Sequence, residues 1–294
     1  MIGFSLSPGG LLLPYHLGVI AALSYHGHLT DDTPLSGSSA GAIAVAAHAT
    51  GVPTAVALEA SMRISAQCTP WFLARGNLER SLWQQLDTLF PADAAEVVNA
   101  RPGLVGLAHL QLYPGPSKPV LATQDFESRR ALMHAVCDSS MFPYFTSNRP
   151  FRVVHDDGIG KKQRKQPRVT VDGVFTEPLW RFGCPDMAKH QKEQVANLDR
   201  TVCISVFPKE LVGLQLTSLQ DHDNKNNNII APPLNVHNPV GQATRLALLM
   251  CTRGRRRDLK QLYEDGWHNA EQWVHREEEQ KAVTEPVRLP MMRS

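Results

Sequence analysis

An α/β fold on a mostly parallel sheet is predicted by residues 1–51, where strand, turn and helix follow one another twice. Ile2–Leu6 is an apolar run stopped by Ser7-Pro8-Gly9-Gly10. Leu11–His26 then places Leu17, Ile20, Ala21 and Leu23 on one helical side and ends at Gly27, a residue suited to a C-cap. After the polar turn Thr30–Asp32 the order repeats: strand Thr33–Ser36, turn Gly37-Ser38-Ser39-Ala40-Gly41, and an Ala-rich helix to about Thr50. Two such units in succession require crossover connections and a parallel sheet. Both turns then fall at carboxyl ends of strands, where α/β sheets carry their chemistry.

The later elements are less regular. Residues 53–100 read as mainly helical, with aromatic anchors at Trp71, Phe72, Trp83 and Phe90. Leu104–Tyr113 and Val120–Thr123 read as strands joined by the Pro-Gly-rich turn Tyr113–Pro119, and Arg129–Ser139 as a helix. Arg152–Val154 and Arg168–Val171 are short strand candidates flanking the polar loop Asp156–Pro167; Thr201–Phe207 is another strand. Asp221–Asn228 is an Asn-rich connector with little to pack. Leu259, Leu262, Tyr263, Gly266, Trp267, Ala270, Trp273 and Val274 recur at helical spacing. These readings divide the chain into one domain, 1–276, and a mobile tail, 277–294.

Composition narrows the class. The 294 residues are 43% hydrophobic and 20% charged, enough apolar material for one large core or two modest ones. Thirty Lys and Arg against 28 Asp and Glu give a formal +2, so no overall field recruits nucleic acid. No apolar stretch reaches the ~18 residues of a spanning helix, and the nearest, Leu11–Leu23, contains Pro14, Tyr15 and His16. The five cysteines are odd in number and widely separated, a usage that suggests a reducing compartment and argues against structural zinc. With no basic, apolar leader at its start, the chain reads as cytosolic.

Three short segments can carry chemistry. Gly37-Ser38-Ser39-Ala40-Gly41 fits Gly-x-Ser-x-Gly, a sharp strand-to-helix turn that exposes its central hydroxyl at a helix N-terminus. Alone, the pattern serves equally as a small-residue turn capped by Ser; the strand before and helix after favour a nucleophile. Only 38 residues precede Ser39, too few for the earlier strands of an α/β-hydrolase. Ser7-Pro8-Gly9-Gly10 can present free backbone N–H groups to an oxyanion. A dinucleotide reading is weak, because Leu13 occupies the third glycine position. Asp172-Gly173 follows the strand Arg168–Val171; taken alone, the dipeptide more often marks an inert turn.

Together these segments resemble the patatin-like phospholipase family, in the branch of adipose triglyceride lipase and adiponutrin. Phe4-Ser5-Leu6-Ser7, Tyr15-His16-Leu17-Gly18-Val19 and Gly37–Gly41 are similar to that branch's opening and nucleophile elbow. Leu132–Tyr144, Val171-Asp172-Gly173 with Pro178, and Leu259–Val274 are similar to its later segments. Two positions depart from the family. The loop glycines Gly-x-Gly-x-x-Gly are Pro8, Gly10 and Leu13 here, and the residue after Asp172-Gly173 is Val174.

The resemblance implies a three-layer α/β/α fold with a mostly parallel central sheet and hydrolysis of lipid carboxylic esters through a Ser-Asp dyad. Ser39 is then the nucleophile and Asp172 the general base and acid. Gly9, Gly10 and Leu11 supply the oxyanion hole, since Pro8 has no N–H; Gly37, Gly41 and Gly173 shape the turns. No metal or cofactor is implied. The substrate is a lipid ester at a droplet or membrane surface, with triacylglycerol favoured and phospholipid or galactolipid as the alternative. A lipid-binding regulatory protein with weak catalysis is the other reading the altered loop leaves open. Trp71-Phe72-Leu73 and the Lys161–Arg168 run are candidate lipid contacts, although a core cluster and a solvated loop are the favoured accounts of them.

Overall fold

The computed structural model describes residues 1–68, 77–154, 167–178, 181, 183–189, 195, 197–212 and 228–284. Its strands are β1 (Ile2–Leu6), β2 (Leu35–Ser38), β3 (Val105–Tyr113), β4 (Lys118–Ala122), β5 (Arg152–Val154), β6 (Arg168–Val171), β7 (Arg200–Ile204) and β8 (Ile229–Ile230). The helices are α1 (Leu13–Tyr25), α2 (Ala40–Ala49), α3 (Thr54–Gln67), α4 (Leu78–Leu89), α5 (Ala94–Asn99), α6 (Arg129–Ser139), α7 (Lys209–Val212), α8 (Pro239–Cys251) and α9 (Arg256–Thr284).

The sheet is mixed and mostly parallel, with helices flanking it. Strands β3, β2, β1, β7 and β8 lie side by side in parallel. The pairs β3–β4, β3–β6 and β5–β6 are antiparallel. The expected parallel core is present, and the antiparallel strands are confined to its β3 end.

Register at β3 positions everything that follows. β2 pairs with Val105–Ala108, and β6 with residues from Leu110 onward. Leu107 pairs with both β2 and β4, and Leu110 with both β4 and β6, so β4 holds one edge of β3 while β2 and β6 share the other. β2 runs with β3 and ends opposite Ala108; β6 runs against it and ends opposite Leu110. The two strands therefore meet head-on at their carboxyl ends, which carry Ser39 and Asp172.

Helix α1 is apolar all round and correspondingly buried from Leu13 to Ile20. It begins after a 3-10 turn at Gly10–Leu12, not directly at Leu11, because Pro14 sits in the first helical turn, where its missing N–H costs nothing. Against it lies α9, in a crossing made by two glycines. A Cβ on Gly18 would stand 2.0 Å from the Tyr263 carbonyl oxygen, and one on Gly266 would stand 2.2 Å from that of Tyr15. Further along α9, Trp273 is fully buried with its ring edge-on to Phe4 at 5.5 Å.

Several expectations are corrected by the fold. α9 extends through residues 277–284, where the mobile tail was expected to begin. Glu277 is buried there and ion-paired with Arg200 at the start of β7, which fixes the added turns to the sheet. β2 lies two residues beyond Thr33–Ser36, and β7 stops at Ile204. Helix α8 has no counterpart among the expected elements; its start is capped by Asn238, whose side chain accepts the Gly241 amide at 2.9 Å. Trp71-Phe72-Leu73, residues 156–166 and most of the Asp221–Asn228 connector lie outside the described residues. Among the described residues no helix is long and apolar enough to cross a membrane.

Candidate active site

Ser39 sits between β2 and α2 with φ 52° and ψ −119°. Positive φ is costly for a residue with a Cβ, so the neighbouring structure has to enforce it. The flanking glycines show how. A Cβ on Gly37 would lie 2.4 Å from the Gly41 carbonyl carbon, and one on Gly41 would lie 2.5 Å from the Leu6 carbonyl oxygen. The turn folds back on itself and against β1 more closely than any side chain allows, which is the physical content of Gly-x-Ser-x-Gly. The Ser39 amide donates to Ser139 Oγ at 2.9 Å, tying the elbow to the end of α6.

Asp172 caps the 3-10 turn Gly173–Phe175, its Oδ1 accepting the Val174 amide at 2.9 Å. Its own amide donates to the Met141 carbonyl at 2.9 Å. Gly173 is required because a Cβ would lie 2.4 Å from the Ala108 carbonyl oxygen of β3. Ser38 Oγ donates to the Gly173 carbonyl at 3.4 Å, joining the ends of β2 and β6 directly.

Asp172 is 1% exposed. Burial pushes its pKa up to about 7, against the Val174 amide and the Ser39 hydroxyl, which both favour the charged form. The Ser39 side chain thus lies close to the Asp172 carboxyl. Among the described residues Oδ2 has no hydrogen-bond partner.

Both side chains line one cavity of about 500 Å³, within the range of small-molecule sites. Gly9, Gly10 and Leu11 line it too. Gly10 has φ +53°, and a Cβ there would lie 2.8 Å from the Met250 carbonyl oxygen. The loop opens a helix, and first-turn amides have no intrahelical acceptor. His16 steadies the loop: its Nε2 lies 2.8 Å from the Ser7 carbonyl oxygen, which can only accept. Burial lowers the His16 pKa to about 4, so the ring is neutral and anchors the loop through Nε2–H. The remaining walls are largely apolar, including Ile43, Ile64, Leu82 and Phe207.

Of the predicted site residues, Ser39, Asp172, Gly9, Gly10 and Leu11 line this cavity, and Gly37, Gly41 and Gly173 shape the turns behind it. The sequence assigns no role to the segment Ser139–Thr146. Ser139 and Met141 hold the main chains of Ser39 and Asp172, while Ser140 and Phe142–Thr146 line the cavity. Phe142 stacks on Phe175 at 5.7 Å, and both side chains are exposed. The segment resembles an ordinary helix end followed by Phe-Pro, with no signal beyond its place in the family likeness.

No family model and no curated protein matches this chain. Among solved structures, VipD from Legionella pneumophila aligns with a TM-score of 0.45 and 9% identity, over 93% of this chain and 66% of that one. A chain of the heterodimeric ExoU–SpcU complex from the type III secretion system of Pseudomonas aeruginosa aligns with a TM-score of 0.40 and 15% identity. That alignment covers 94% of this chain and 52% of the other. The chain thus spans less than two thirds of either.

Proposed function

We propose that the protein is a serine acyl hydrolase of the patatin type that cleaves lipid carboxylic esters. The observation that carries the reading is the convergence of Ser39, on a strained elbow, with a buried, half-neutral Asp172 in one apolar cavity. Ser39 Oγ attacks the ester carbonyl while Asp172 takes its proton. The amides of Gly9, Gly10 and Leu11, on the same cavity wall, receive the oxyanion. Asp172 then protonates the departing alcohol, and water repeats the sequence on the acylated Ser39. A carboxyl group titrating near neutrality suits both proton transfers, since it is readily both base and acid at working pH.

The largely apolar walls fit an acyl chain better than a polar substrate. Triacylglycerol is the favoured substrate because of the branch the sequence resembles, with phospholipid or galactolipid as the alternative and action from the cytoplasmic side at a droplet or membrane surface. Pro8 supplies no amide, and loss of one oxyanion donor can cost about 10²–10³ in rate. This leaves a weakly catalytic lipid-binding protein as the second reading. Acyl release from triolein, phosphatidylcholine and galactolipid separates these cases. Ser39→Ala and Asp172→Asn should each abolish release and Ser39→Ala should abolish fluorophosphonate labelling; undiminished turnover in either variant refutes the mechanism.

A further inference from the structure

A second hollow, of about 510 Å³, lies between α3 and the turn that joins α8 to α9. Four arginines line it, Arg63, Arg253, Arg255 and Arg256, against a single acid, Glu59. Arg256 pairs with Glu59 at 2.6 Å and Arg63 Nε donates to the neutral Gln85 at 3.0 Å. Among the described residues the guanidinium groups of Arg253 and Arg255 have no hydrogen-bond or ion-pair partner. The hollow therefore gathers more positive charge than the described residues neutralise.

Its position makes that excess harder to explain by folding alone. Arg255, Arg256 and Arg257 stand at the N-terminal end of the 29-residue helix α9, where the macrodipole is positive and favours acids. Asp258 in the first turn and the Glu59 partner of Arg256 offset part of this charge, but among the described residues Arg253 and Arg255 have no acid of their own. The shape is held independently of the charges: the Gly254 amide donates to Ser65 Oγ of α3 at 3.1 Å, and Met62 and Leu259 form an apolar floor.

We propose that this hollow binds a phosphate-bearing anion, through the forked donors of Arg253 and Arg255. Guanidinium groups meet phosphate oxygens with paired, charge-assisted hydrogen bonds, and an anion there relieves both the mutual repulsion and the helix dipole. Helix α3 also walls the Ser39 cavity, through Ser61 and Ile64, as does the end of α8 that leads into the turn, through Met250 and Cys251. A lipid phosphate held in the hollow would sit beside the cavity; free phosphate offers the same chemistry. The site itself does not depend on the hydrolase reading.

The test uses the full chain carrying Ser39→Ala, so that no lipid is consumed and binding is read apart from catalysis. Two probes are applied: inorganic phosphate by calorimetry, and phosphatidylcholine vesicles with or without phosphatidic acid by sedimentation. Adding Arg253→Ala with Arg255→Ala should weaken binding of at least one probe about tenfold or more. Adding Arg257→Ala with Arg276→Ala, an equal loss of charge outside the hollow, should change it by less than about twofold. Phosphate binding alone identifies a soluble ligand; binding confined to phosphatidic acid vesicles identifies a headgroup. No binding of either probe, or equal weakening by both pairs of substitutions, overturns the proposal. All four side chains are exposed, so the variants should fold, and matched melting temperatures verify it.

Discussion

Ser39 and Asp172, 133 positions apart in the chain, are held by a single short stretch of it: Ser139 Oγ accepts the amide of the first, and the Met141 carbonyl accepts the amide of the second. The carboxyl end of α6 is thus a clamp on both halves of the proposed dyad. It is itself fixed from behind, where Asp138 is ion-paired with Arg152 of β5 and accepts Thr170 Oγ1 of β6 at 3.0 Å. A displacement of α6 would move the nucleophile and the base together.

Ser139→Ala removes the acceptor for the Ser39 amide and leaves that buried donor unsatisfied, at a cost of about 1–3 kcal/mol. The elbow's positive φ then loses one of its restraints. The expected result is a fall of about tenfold or more in kcat and in the rate of fluorophosphonate labelling, with KM nearly unchanged. A variant that loses stability but keeps both rates would show that Ser139 only fills space.

Asp172 ties activity and stability to pH in opposite senses. Its pKa is 3.8 when unperturbed and about 7 in the fold, so the folded protein binds more protons than the unfolded chain between those values. Stability from this group is therefore lost as pH rises from about 4 to about 7, while the basic form needed for attack is gained as pH rises through about 7. Hydrolysis should follow a sigmoid with its midpoint near 7. Asp172→Asn keeps the shape without the charge and should be inactive, yet more stable than the parent above pH 7. The gain is a few kcal/mol at most, because each tenfold change in proton affinity between the two states is worth about 1.4 kcal/mol. It should shrink towards pH 4, and thermal melts across that range measure it.

The reach of the sequence stopped where contacts became long-range. Gly37–Gly41 and Ser7–Gly10 were readable because their geometry is local: a turn between a strand and a helix announces itself in adjacent residues. Asp172 was readable only through family likeness, because its partner is set by the register of β2 and β6 on a common edge of β3, which no local pattern encodes. The roles of Ser139 and Met141 were invisible for the same reason. The end of α9 was misplaced because Glu277 looks like a solvated charge until Arg200, 77 positions earlier in the sequence, is found beside it.

The α1–α9 crossing should tolerate no side chain at its two glycines. Gly18→Ala would press a methyl to 2.0 Å from a backbone oxygen, and Gly266→Ala to 2.2 Å; in both cases the obstacle is main chain and cannot rotate away. Separating the helices would open the core beside Tyr15 and Leu262. A loss of about 3 kcal/mol or more is expected for each variant, read as a drop in the urea midpoint. Gly27→Ala serves as the comparison: its φ of +73° is strained for alanine, but nothing lies within 4 Å, so its cost should stay near 1 kcal/mol.

Glu277 tests where the folded domain ends. Its side chain is 4% exposed and paired with Arg200, which also donates to Asn228 Oδ1 at 3.0 Å. Removing the carboxylate takes an acid away from the partly buried Arg200 guanidinium, a change that costs up to about 3 kcal/mol when pairs of this kind are broken. Glu277→Ala in the full chain, and a chain ending at residue 276, should therefore both melt several degrees below the parent. A chain ending at residue 284, which keeps all of α9, should melt with the parent. Equal stability of the 276 and 284 chains would mean that the last turns of α9 are carried by the domain and contribute nothing to it.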